Sequence, residues 1–373
     1  MSNQKPWLIL TSISLILFAS GGTSLEARDE FQDKGEAKPA PKLIDGATQD
    51  AIDAGLEFLA KNQQANGSWG TGMHQGSIAH TSLAGLALLA GGHKPGEGKY
   101  GKNIALALNY VLDREDPDRP GFLKDPSALH GRMYGHGFGT HFLAEAHSMV
   151  NEPKLRTKLD ATLSRAVKLL IDTQSNQGGW RYEPIRADAD MTVTIVQIMA
   201  LHAAGKAGVE IPKVVKEKYV KYAKECQDAK SGGFAYRPTA VLRHGPGFAC
   251  TAAGLLALQS AGESDCAEVK NGLDFLKKFQ PPAIKDFQTD PEYRLHYFYG
   301  HYYAVQAMQI AGGDRWRDWY TTIRDDLVTN GKYRQKDGSW AQLPHFGPDY
   351  CTAMALLILQ TPQKSSKGDG NPK

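Results

Sequence analysis

Two kinds of apolar segment alternate between residues 43 and 362. The first kind is amphipathic. Residues 51–63 (AIDAGLEFLAKNQ) and 163–174 (LSRAVKLLIDTQ) set apolar side chains three and four positions apart, with polar ones between. That spacing predicts a helix with one face on a core and the other in water. The second kind is apolar nearly all round and predicts a buried helix. Six such segments align, led by His80, Gly139, Met191, Cys250, His301 and Cys351. Threonine follows the lead in five of them, at Thr81, Thr140, Thr192, Thr251 and Thr352, and Tyr302 follows in the sixth. A threonine there reads as a cap or first-turn residue.

A short motif joins the two kinds of segment: glutamine, then glycine, then an aromatic two residues after the glycine. Its copies begin at Gln63, Gln174, Gln227 and Gln335 and end on Trp69, Trp180, Phe234 and Trp340. Residues 43–362 are 320 positions, so six hairpins take about 53 residues each. A fixed period of this kind is the signature of a repeat architecture. Six copies without a polar capping repeat favour closure into an all-α (α/α)6 toroid over an open solenoid.

The flanks are different. Lys5 precedes an apolar stretch from Trp7 to Ser20, then small residues. Fourteen residues are short of the ~20 that span a bilayer as a helix. Residues 1–27 therefore read as a secretory signal, removed on export to the periplasm or cell exterior, with no transmembrane span left afterwards. Residues 28–42 read as a charged, Pro-containing linker, and 363–373 as a disordered tail.

Composition narrows the function. The 373 residues are 41% hydrophobic and 22% charged, which excludes a wholly disordered chain and a polytopic membrane protein. The net charge of +3 without a basic run gives no basis for nucleic-acid binding. Four cysteines in so long a chain are not a disulfide framework, although export would permit a Cys226–Cys266 bridge.

The glutamine–glycine–aromatic motif resembles the QW-type repeat of the squalene–hopene cyclase and protein prenyltransferase β-subunit superfamily. The chain is also similar to exported planctomycete-type proteins with prenyltransferase and squalene-oxidase repeats. The resemblance covers essentially residues 43–362. It implies a ligand cavity at one end of the toroid, ringed by the N-termini of the inner helices, a setting that favours polar or anionic ligand groups.

In the third repeat, Gly178-Gly179-Trp180 is followed by Asp188-Ala189-Asp190-Met191-Thr192. This is similar to the D-x-D-D-T segment of squalene–hopene cyclases, whose middle aspartate protonates an alkene or epoxide. The resemblance assigns that acid to Asp190 and its partner to Asp188; Met191 replaces the last aspartate. The plainer reading is that both aspartates cap the inner helix. In the sixth repeat, Asp349-Tyr350-Cys351 resembles the zinc motif of prenyltransferase β-subunits. Closure would bring His80 beside it as a third ligand with an open fourth position. The basic residues that hold a prenyl diphosphate do not carry over, since their positions are Leu343 and Phe346. Aromatic and histidine residues are candidates for the cavity wall: Phe138, His141, Phe248, Tyr299, His301, Tyr302 and Tyr350. They serve carbocation stabilisation or simply fill the toroid centre.

Four functions follow. One is acid-initiated isoprenoid chemistry in an apolar cavity. A second is a non-catalytic scaffold for a lipid, peptide or envelope protein. A third is a zinc-dependent transferase-like site, and a fourth a carbohydrate-active toroid with paired carboxylates. The predicted ligand is an apolar small molecule or an envelope protein, the protein a monomer, and no cofactor is required unless zinc binds.

Overall fold

The computed structural model describes residues 42–126, 128, 131–238, 245–281, 291–329, 333–341 and 346–365. The predicted signal and nearly all of the linker lie outside the described residues, as does the tail from 366. One compact unit runs from Lys42 to Lys373. Among the described residues, extended structure is confined to isolated bridges, and fourteen α-helices form the rest of the frame.

Six of them are inner helices: α2 (Ile78–Ala90), α4 (Arg132–Ala146), α6 (Met191–Lys206), α8 (Phe248–Ser260), α11 (Tyr297–Ala311) and α13 (Pro348–Leu359). Each packs on the next, and α13 packs back on α2, so the ring closes. The outer helices are α1 (Gly46–Asn62), α3 (Gly101–Leu112), α5 (Pro153–Thr173), α7 (Lys213–Glu225), α9 (Ala267–Leu276) and α12 (Gly313–Val328). They lie against the inner ring: α1 on α13, α3 on α2, α5 on α4 and α6, α7 and α9 on α8, and α12 on α11. Two short helices, α10 (Pro291–Leu295) and α14 (Thr361–Ser365), complete the set. The chain is a closed (α/α)6 toroid.

The division into rings follows from the residues. Helix α7 buries only Val215, Tyr219, Tyr222 and Ala223, a single stripe, and leaves its lysines in water. Helix α6 buries nearly every position from Met191 to Ala204. Small residues in the inner ring let bulky ones pass close. A Cβ on Gly85 would stand 2.4 Å from the Phe142 ring, and one on Gly254 would stand 2.2 Å from Phe234.

The motif ties one repeat to the next. Gln63 Nε2 donates to Gly67 O and, across to α3, to Asn103 O. Gln174 Nε2 donates to Gly178 O and Val215 O, and Gln227 Nε2 to Gly232 O and Glu268 O. Gln335 departs from this and donates to Tyr333 O, within its own turn. The indole N–H groups of Trp69, Trp180 and Trp340 close on carbonyls near the end of the preceding outer helix, at Leu59, Leu170 and Leu327.

The threonine column has a different task from capping. Thr81, Thr194, Thr251 and Thr352 each accept the backbone N–H of the motif aromatic, at 2.9–3.0 Å. In the third repeat the register is therefore set by Thr194, two residues beyond the sequence expectation of Thr192. The reason is the loop: fourteen residues separate Trp180 from Thr194, against twelve from Trp69 to Thr81. Thr140 takes no such part, because its repeat lacks the motif and so has no motif aromatic to hold; its hydroxyl donates to His136 O in its own helix.

The cysteines are free: Cys226, Cys250 and Cys351 are buried and Cys266 is half-buried. The permitted Cys226–Cys266 bridge is not formed. Burial pushes the Cys226 thiol up to about 12, which leaves it an inert core group.

Candidate functional site

The N-terminal turns of the inner helices surround a cavity of about 510 Å³. Helix α2 contributes Ala79 and His80, with its N-cap Ser77. Helix α4 contributes Tyr134, Gly135 and Phe138, α6 contributes Thr192, and α11 and α13 contribute Tyr299 and Tyr350. Asp125 and Phe346 enter from the loops. At the rim stand Met73 and Leu295, apolar side chains that are 78% and 41% exposed. A second cavity of about 360 Å³ shares Tyr134, Thr192 and His296 with the first. Its other walls include Tyr182, Tyr236, Phe248, Cys250, Glu292 and Tyr293. Volumes of this size hold a small organic molecule, and an aromatic wall with few polar groups suits an apolar one.

Asp190 is the N-cap of α6 and is fully buried. Its Oδ1 accepts the Val193 N–H and the Thr192 hydroxyl, both at 2.8 Å. Its Oδ2 lies 3.8 Å from Arg181 Nε. Burial raises its carboxyl above the usual aspartate range, against the lowering effect of those two hydrogen bonds, of the Tyr236 hydroxyl and of Arg181. Asp190 is in the wall of neither cavity. The groups between it and the larger one are Thr192 and Tyr134, whose hydroxyls are 2.7 Å apart.

Asp188 does not pair with it as the sequence suggested. Its Oδ2 receives Arg181 Nη1 at 2.5 Å and Arg237 Nη2 at 2.9 Å, with a third of the side chain exposed. A carboxylate between two guanidiniums acts as a strut that ties their loops together. The loop that makes this clamp, Arg181 to Asp190, also displaces the threonine register of the repeat.

The resemblance to a zinc centre is half realised. Ring closure places His80 Nδ1 3.8 Å from Asp349 Oδ2, both side chains about 5% exposed. Asp349 Oδ2 also accepts Gly70 N–H at 2.6 Å. Burial opposes ionisation of Asp349, but His80 and the Gly70 N–H outweigh it and hold the carboxyl below its usual range. Cys351 is buried in α13. Among the described residues no three His, Cys, Asp or Glu side chains, His80, Asp349 and Cys351 included, are grouped so as to hold a metal.

Of the predicted wall residues, Phe138, Tyr299 and Tyr350 line the larger cavity and Phe248 the smaller. His141, His301 and Tyr302 line neither and are packed inside. His301 Nε2 is 2.9 Å from Tyr293 Oη, and burial brings its pKa down to about 3, so it is a neutral core residue. His136 is likewise buried, brought down to about 3, and accepts Leu123 N–H. Sequence reasoning missed Asp125, His74 and Tyr134. Asp125 Oδ2 accepts Ser77 Oγ–H and Ile78 N–H, capping α2 from the loop before α4. It belongs to a repeat without the motif, and no local pattern points from it to α2. Tyr134 and Thr192, by contrast, sit in the first turns of inner helices, where the toroid arrangement alone nominates wall residues.

Among the described residues no helix is long and apolar enough to cross a membrane. No family model matches the chain, and no curated protein matches it. Solved structures share the fold. The GH76A α-1,6-mannanase of Salegentibacter sp. HEL1_6 has a TM-score of 0.59 at 9% identity, over 85% of this chain and 99% of that one. The type II terpene cyclase MstE from Scytonema has a TM-score of 0.55 at 15% identity, over 86% and 98%. The GH76 α-mannanase BT2949 of Bacteroides thetaiotaomicron has 0.54 at 9% identity, over 86% and 96%. At these identities the likeness is one of fold.

Proposed function

We infer that this protein binds an apolar small molecule of isoprenoid type in the cavity at the inner-helix N-termini. The observation that carries the reading is the wall itself. Tyr134, Phe138, Tyr299, Phe346 and Tyr350 surround a space of about 510 Å³ whose rim is apolar. Aromatic faces enclose hydrocarbon and tolerate positive charge, so they suit an isoprenoid body. Among the solved folds this matches the chemistry named for the terpene cyclase, not the mannanases.

Two observations weigh against a mannanase-like reading. One solved mannanase is a variant inactivated at two adjacent aspartates, in complex with α-1,6-mannotriose. The adjacent aspartates of this chain, Asp325 and Asp326, lie on outer helix α12, where Asp326 accepts the Tyr297 hydroxyl. The carboxylate in the larger wall, Asp125, is engaged in capping α2. We read Asp190 as the cap of α6 and not as an acid that meets the ligand, because its carboxyl is in neither wall. The reading is thus a binding protein first. With the leader at residues 1–27, it places this binding outside the cytoplasm.

A neutral fluorescent probe, N-phenyl-1-naphthylamine, tests it. The wild-type protein is expected to enhance the dye with one saturable site, displaced by farnesol. Ala79→Trp, which fills the cavity from α2, is expected to weaken dye binding by at least about tenfold while the circular dichroism stays helical. Absence of dye binding, or equal binding by Ala79→Trp, overturns the reading.

A further inference from the structure

Four hydroxyls of the larger cavity, those of Ser77, Tyr134, Thr192 and Tyr299, have a direction. The Ser77 hydroxyl donates to Asp125 Oδ2. The Thr192 hydroxyl donates to Asp190 Oδ1, so the Tyr134 hydroxyl, 2.7 Å from Thr192 Oγ1, donates to Thr192. The Tyr299 hydroxyl donates to Thr192 O. These wall hydroxyls therefore spend their hydrogens on the protein, and what Ser77, Tyr134 and Tyr299 offer the cavity is oxygen lone pairs.

His80 adds the strongest acceptor. Its Nδ1 is the nitrogen buried against the ionised Asp349, which leaves Nε2 as the ring's contact with the cavity it lines. A carboxylate opposite one ring nitrogen favours the tautomer with its hydrogen there, which leaves the lone pair at the other nitrogen. The ring is held in place from two sides. His74 stacks on it at 4.9 Å between centroids, and Tyr350 lies at 5.4 Å. Among the described residues, neither lysine nor arginine lines this cavity, and its wall includes the Asp125 carboxyl. Such a wall offers an anionic headgroup no lysine or arginine among the described residues.

On the reading that the cavity holds an apolar ligand, we propose that this ligand is a neutral amphiphile with a hydroxyl, and that the hydroxyl donates to His80 Nε2, which Asp349 positions. The site selects an alcohol over the carboxylate or phosphate with the same hydrocarbon body. This reverses the preference for anions that helix N-termini alone would give.

The test is displacement of N-phenyl-1-naphthylamine at pH 8 by 1-dodecanol, dodecanoate and dodecyl phosphate. Dodecanol is expected to displace the dye at roughly tenfold lower concentration than either anion, the scale of one hydrogen bond. His80→Phe keeps a ring between His74 and Tyr350 and is expected to abolish that preference, read as the ratio of dodecanol to anion competition whatever the variant's own dye affinity. Asp349→Asn, which keeps the size of the side chain but not its charge, is expected to reduce the preference and serves if His80→Phe does not fold. An anion that competes as well as dodecanol, or a preference unchanged in the variants, overturns the proposal and leaves the apolar-ligand reading standing. Failure of the dye itself to bind overturns both.

Discussion

Asp190 shows how one side chain carries two readings that only its surroundings separate. Its sequence context resembles an acid motif, and its burial does raise its carboxyl as an acid of that kind requires. Yet both hydrogen bonds to Oδ1 come from the first turn of α6, which is what an N-cap does. Stability against pH distinguishes the variants. A carboxyl raised above the ordinary aspartate value of 3.8 favours the fold below that pH, and the benefit is lost as pH rises through the folded-state value. Asp190→Asn keeps an oxygen for the Val193 N–H without the buried charge. Its stability relative to wild type is therefore expected to improve between pH 4 and pH 7. Asp190→Ala loses the cap and is expected to cost about 1 kcal/mol. Denaturant unfolding at both pH values checks this; a pH-independent difference for Asp190→Asn contradicts it. Asp188, identical in type and two residues away, was not separable by sequence, because the arginines that fix it, Arg181 and Arg237, lie on different loops.

Helices and motif turns were the most legible parts of the chain. Periodicity separated outer from inner helices, because one ring faces water and the other faces protein on every side. The four motif copies announced tight turns, and Gln63, Gln174 and Gln227 bridge repeats through the same pair of carbonyl bonds. The function of the threonine column was not legible. A threonine in a first turn looks like a cap, whereas Thr81, Thr251 and Thr352, with Thr194 in place of Thr192, accept the N–H of an aromatic twelve to seventeen residues earlier. A sequence pattern records position and not the partner. Thr194→Val leaves the Trp180 N–H buried without an acceptor and is expected to cost about 1–3 kcal/mol. Thr140→Val removes only a bond to its own helix and is expected to cost less than about 1 kcal/mol. Chemical denaturation of the two variants side by side checks the contrast, and equal losses contradict it.

At the scale of the molecule, closure creates the site. The packing of α13 on α2 brings residues about 270 positions apart into contact, so Asp349 meets Gly70 and His80. That meeting was foreseeable once six repeats were counted, and the sequence did pair His80 with Asp349. The metal role that the resemblance implied for them has no counterpart in a grouping of three such side chains among the described residues. The cavity wall was partly foreseeable too: Phe138, Tyr299 and Tyr350 lie near the N-termini of inner helices, where a toroid keeps its open end. Asp125, which comes from a loop in a motif-free repeat, had no such marker.

The central claim is that the toroid holds an apolar molecule at this end. Native mass spectrometry of the purified protein with added farnesol, wild type beside Ala79→Trp, tests it most directly. The account expects one farnesol mass on the wild-type chain and none on the variant. A wild-type chain that stays bare, or an adduct that survives in Ala79→Trp, would contradict it.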